Sequence, residues 1–138
     1  MTATNPETLS YGKKIEHNLI ASLQLAGVHL NTSAALDHNH KIDFILSLNH
    51  QRVGIQFSLK QDAIKARVAK ICALSVVPRF IYLCIAGEFF KRPDKQNGQD
   101  LYRALNNIAR KYPDRALWIN IGRQGLHIES LSPNGARP

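Results

Sequence analysis

The chain has 138 residues, one domain's worth of sequence, and 44% of them are hydrophobic, enough to close one core. Eighteen lysines and arginines against ten acids leave a net charge of +8, a surplus that attracts polyanions such as DNA, RNA or an anionic membrane surface. Cys72 and Cys84 make neither a disulfide framework nor a zinc pattern, no apolar run reaches the ~18–20 residues of a membrane span, and the first residues lack the basic and apolar regions of a signal peptide, so a cytoplasmic chain in a reducing compartment with no membrane partner is expected.

Residues 1–9 are polar and are expected to be frayed, as is the Pro- and Gly-containing tail 132–138. A single domain over 10–131 lies between them. Ser10 can cap a helix that runs to about Ala26 and stops at Gly27, with Ile15, Leu19 and Leu23 on one stripe. Val28, His29 and Leu30 suggest a short strand, and 31–41 a polar loop carrying His38 and His40. A His-x-His pair without a third ligand reads as ordinary polar loop. Residues 42–48 are strand-like, and Asn49, His50 and Gln51 mark a turn. From Arg52 to Lys60 the chain alternates without a break. Val53, Ile55, Phe57 and Leu59 face one way, and Gly54, Gln56, Ser58 and Lys60 the other. The two segments therefore form a hairpin.

Asp62 can cap a second helix over about 62–75, with Ile64, Val68, Ile71 and Cys72 or Ser75 as its buried stripe. Pro78 stops it. The nearly continuous apolar run 80–86 reads as a strand covered on both faces. It should pair in parallel with an earlier strand through a right-handed crossover. A loop over 88–98 carries Phe89, Phe90, Lys91, Arg92 and Lys95. A third helix spans about 99–112, and two strands follow at 116–121 and 126–131, with Trp118 read as core. The fold class is α/β, a mixed sheet flanked by helices.

Helix, three strands, helix and strand, in that order, with Asp43 opening the second strand and Gln56 on the third, resemble the αβββαβ core of the PD-(D/E)XK nuclease superfamily, the restriction-endonuclease-like fold. The likeness covers about residues 10–86, and the later helix and hairpin would be an elaboration. It implies that Asp43 takes the family's Asp position, Gln56 its Glu-or-Gln position and Glu16 the position of the helical Glu. The family's lysine, two residues after Gln56, is Ser58 here, and Lys60 comes one strand step later, about 6.6 Å further along.

Phosphodiester hydrolysis needs a cation to offset charge on the phosphoryl oxygens and to activate water. The resemblance implies Mg²⁺ or Mn²⁺ held by Asp43 and Gln56, with Glu16 assisting through water and Ser58 or Lys60 in the lysine's role. Lys65, Arg67 and Lys70 on the second helix, with Arg79, Lys91 and Arg92 around the following strand, would track a phosphate backbone. The expected function is a metal-dependent DNA endonuclease, acting as a homodimer as small members of the family often do. The alternatives are a nuclease-fold module that binds nucleic acid without cutting it, and an adaptor that meets an acidic protein.

Overall fold

The computed structural model describes residues 11–32, 40–59 and 63–131. The expected caps Ser10 and Asp62, His38, Lys60 and the segments 1–9 and 132–138 lie outside the described residues. Helix α1 (Tyr11–Leu25) follows its apolar spacing and buries Ile15, Leu19, Ser22 and Leu23. It closes at Gly27, whose φ is +88°, a conformation that glycine adopts without a Cβ penalty. There the Val28 amide donates to the Leu23 carbonyl and the Gly27 amide to Gln24, which satisfies the last helical carbonyls. The strand expected at 28–30 does not form a ladder. The segment meets the sheet through one isolated bridge, Asn31 to Ile45.

Strands β1 (Phe44–Leu48) and β2 (Gln51–Ser58) make the expected hairpin. Asn49 and His50 at its tip both have positive φ, 52° and 68°, as a two-residue turn matched to strand twist requires. After α2 (Ala63–Ala73) come β3 (Arg79–Ile85), a short 3₁₀ turn, α3 (Lys95–Lys111), β4 (Ala116–Gly122) and β5 (Gly125–Ser130). The five strands lie in the order β1-β2-β3-β4-β5. β2, β3 and β4 are parallel, and the outer pairs are antiparallel. This is the mixed α/β sheet that the element order predicts.

The sheet has two unlike faces. Val53, Ile55, Phe57, Ile81, Leu83, Leu117 and Ile119 point toward α1 and α3 and form the larger core. Phe80, Tyr82 and Ala116 point toward α2 with Ile42 and Ile45. Strand order advances one way from β2 to β4 while α2 and α3 cover opposite faces. The two crossovers therefore have opposite hands, and one departs from the right-handed rule. Helix α3 goes to α1 instead, where Gly98 packs against Ser22. Among the described residues no helix is long and apolar enough to cross a membrane.

Three further expectations change. Helix α2 does not bury Ile64, Val68 and Ile71. Ile64 is 73% and Ile71 69% exposed, whereas Ala66, Ala69 and Ala73 meet the sheet. Large Phe80 and Tyr82 fill the space beneath, so only alanines fit between helix and strand. The 88–98 loop is shorter than expected, because Asp94 caps α3 by accepting the Asn97 amide at 3.0 Å. Trp118 is half-buried rather than core.

Candidate functional site

The sequence placed the site where β1 and β2 begin to part, and the backbone there is irregular. Phe44 is the ladder partner of Ile55, yet the Asp43 amide also donates to the Ile55 carbonyl at 2.8 Å. Two residues of one strand thus oppose one residue of the other, which is a bulge. Side-chain direction agrees. Ile42 and Ile45 both pack on the α2 side, while Phe44 packs on the other. Strict alternation would have put Ile42 with Phe44.

The bulge gives Asp43 a backbone partner. Its Oδ2 accepts the Phe57 amide at 2.7 Å. Strand amides point along the sheet, so this carboxylate oxygen lies between the strands in place of a ladder carbonyl. Gln56, next to Phe57, turns its side chain to the α2 face, and its Oε1 is buried with no hydrogen-bond partner. Ser58 follows on that same face, half-buried beside its register partner Cys84. Glu16 does not join them. It sits on α1, on the opposite side of the sheet, 3.5 Å from Lys13. Among the described residues no three His, Cys, Asp or Glu side chains group as a metal site.

The basic residues divide into two sets. Lys65, Arg67, Lys91 and Arg92 are exposed, as a phosphate contact requires. Arg79 and Lys70 are not. Arg79 is 7% exposed. Its guanidinium donates to the Ala109 carbonyl at 2.8 Å, to Asp114 at 3.1 Å and to Tyr112. It therefore neutralises the carbonyl end of α3, and it has no room for a phosphate. Burial lowers its pKa, and the Asp114 charge partly restores it. Lys70 is 8% exposed and lies on the sheet side of α2. Both residues were expected at a phosphate backbone and instead serve packing.

Other cations concentrate at two ends of the sheet. At the hairpin end, Arg110 and Arg115 edge a hollow of about 680 Å³ with Asn49, Gln51 and the bound Arg79. At the end near Asp43 and Ser58, α1 begins with Tyr11 against Gly87 and Gly12 against Leu59, which brings Lys13 and Lys14 there. Lys91 is close enough to lower the Glu88 pKa, after the larger effect of the Arg123 hydrogen bond.

Two rows of side chains on the α2 face follow from register. One is Gln56, Tyr82, Trp118 and Glu129, and the next is Ser58, Cys84, Asn120 and His127. His127 belongs to no motif in the sequence, and Trp118 on its apolar strand reads there as core. The available signal was alternation in 116–121, which sets Trp118 and Asn120 on one face. Searches of family models, curated proteins and solved structures return no match for this chain, so its site is read from its own residues.

Proposed function

We propose that the chain is a nucleic-acid-binding domain of the PD-(D/E)XK nuclease type, with DNA as its polyanion. The observation that supports it most is the charge around the end of the sheet that holds Asp43, Gln56 and Ser58. Lys13, Lys14, Lys41, Lys65, Lys91 and Arg92 stand exposed there against Glu16 and Glu88. Each phosphate contact releases condensed counterions, so binding of this kind falls steeply with salt. In this reading Asp43 holds the sheet's geometry.

A second reading, strand cleavage, is favoured by Gln56. Its buried, unpartnered Oε1 is an oxygen that a hard cation would satisfy. In this reading Asp43 and Gln56 would hold Mg²⁺ or Mn²⁺, with water completing the shell. Such an ion supplies Lewis-acid stabilisation of phosphoryl oxygens. Of the chain's own groups, Ser58 shares the face of Gln56, and Lys60 lies beyond the described residues.

Gel retardation of a short DNA duplex tests both. Retardation that weakens by tenfold or more between about 50 and 200 mM salt, and again with Lys91→Ala plus Arg92→Ala, supports binding. Mg²⁺-dependent cutting that Asp43→Asn abolishes adds the second reading, and binding without cutting leaves the first alone. No retardation at low salt overturns both.

A further inference from the structure

The α2 face of the sheet is covered at one side and open at the other. Ala66, Ala69 and Ala73 of α2 sit over Phe80, Tyr82 and Ala116. Beyond them β4 and β5 turn Trp118, Asn120, His127 and Glu129 onto the same face. Helix α3, which joins β3 to β4, lies on the opposite face, so among the described residues no helix covers them.

This open strip carries a specific chemistry. Trp118 packs one side against the α2 cluster and keeps part of its indole in solvent. The His127 ring stands edge-on to it, with centroids 6.0 Å apart and planes at 81°. His127 Nε2 lies 3.3 Å from the Glu129 carboxylate. In the neighbouring row Asn120 is half-buried between Cys84 and His127, with an amide that both donates and accepts. A hollow of about 560 Å³ opens alongside, edged by Cys84, Asn120, His127, Leu126 and Arg123. Arg123 is bound to Glu88 at 2.8 Å, and Lys91 adds a second positive charge nearby.

Two aromatic rings on an exposed sheet, an amide beside them and the Lys91 charge at the rim suit a flat ring with hydrogen-bonding edges attached to an anion. Unpaired nucleobases meet that description, because single strands stack bases on such rings while a groove of positive charge follows the backbone. A duplex hides its base faces. A purely apolar partner would leave the Asn120 amide unpaired.

We propose that Trp118 and His127 form a base-stacking site for single-stranded nucleic acid, with Asn120 hydrogen-bonding the edge of the stacked base. The proposal deepens the nucleic-acid reading of this domain and rests on it. The site spans the two rows that begin at Gln56 and Ser58, so a strand crossing it along those rows would run toward them.

The chain has one tryptophan, so its intrinsic indole fluorescence reports this strip alone. The full chain is titrated with oligothymidylate, with an abasic oligomer of equal length and with a duplex. Saturable quenching by oligothymidylate but not by the abasic strand is expected. His127→Ala should weaken single-strand binding by about tenfold, the scale of one lost stacking contact, Asn120→Ala should weaken it by several-fold, the scale of one lost hydrogen bond, and both should leave duplex retardation unchanged. His127 is exposed on the edge strand, so its replacement leaves the core intact. Equal quenching by the abasic strand, or single-strand binding indifferent to both substitutions, overturns the proposal while duplex retardation still supports the parent reading. If neither single strand nor duplex binds, both readings fall.

Discussion

Gly98 of α3 faces the Ser22 carbonyl of α1 so closely that a Cβ on residue 98 would stand 2.1 Å from its oxygen. Ser22 itself is locked. Its hydroxyl donates to Asn18 at 2.7 Å and accepts the Asp94 amide at 2.8 Å. The contact joins the two helices that cover the larger core, and the neighbour is backbone, which cannot swing aside.

Gly98→Ala should therefore destabilise the fold, although alanine is the better helix former. The helix-propensity gain is about 1 kcal/mol, and forcing the helices apart costs about 1–3 kcal/mol or more. Gly122→Ala is the control, since a Cβ there meets nothing. Urea denaturation should give a lower midpoint for Gly98→Ala and little change for Gly122→Ala. Equal midpoints would mean that α1 and α3 are further apart than described.

Asp43 is predicted to matter to stability before it matters to any ligand. Asp43→Ala leaves the Phe57 amide without its acceptor, a loss of about 1–3 kcal/mol for a buried donor. Asp43→Asn keeps an oxygen in the same place and should recover most of that loss. The pair separates two roles. If both variants unfold at the same denaturant concentration, the hydrogen bond to Phe57 is not what Asp43 contributes.

These two sites show what the sequence carried and what it did not. The alternation of Val53, Ile55 and Phe57 is written in period two, and a central strand obeys it because both of its faces are packed. The run 80–86 was legible for the same reason. The bulge at Asp43 was not, because Ile42, Phe44 and Leu46 stand at every second position, where a regular strand would also place its apolar residues. Arg79 read as a surface cation because its partners are carbonyls at Ala109, Tyr112 and Asp114, thirty or more residues away. The open strip at Trp118 depends on which face α3 takes, and local spacing holds no record of that choice.

Helix α2 supplies the third prediction. Ala66, Ala69 and Ala73 recur at helical spacing as regularly as Ile64, Val68 and Ile71, so hydrophobicity alone favoured the wrong stripe. Large residues under the helix reversed it. Ala69→Leu should cost about 1–3 kcal/mol through overpacking, while Ile71→Gln should stay within about 0.5 kcal/mol. Thermal melts of the two variants check this. A stable Ala69→Leu beside a crippled Ile71→Gln would place the helix the other way round.

The two thiols should differ in reactivity. Cys84 is buried on β3, and burial raises its pKa, so little thiolate forms at neutral pH. Cys72 lies half-buried on α2. Iodoacetamide near pH 7.5, followed by mass spectrometry of the peptides, should label Cys72 first and Cys84 only on opening of the sheet. The same shift sets a sign for stability. A thiol whose folded pKa lies above its unfolded value, about 8.5, favours the native state less once the unfolded chain ionises. That contribution is whole below the unfolded pKa and declines as pH rises from there toward the folded one. Cys84→Ser should remove this alkaline decline. Equal labelling of both cysteines in the native protein would show that Cys84 is reached by solvent, and the packing of the Ser58–Cys84–Asn120 row would need to be redrawn.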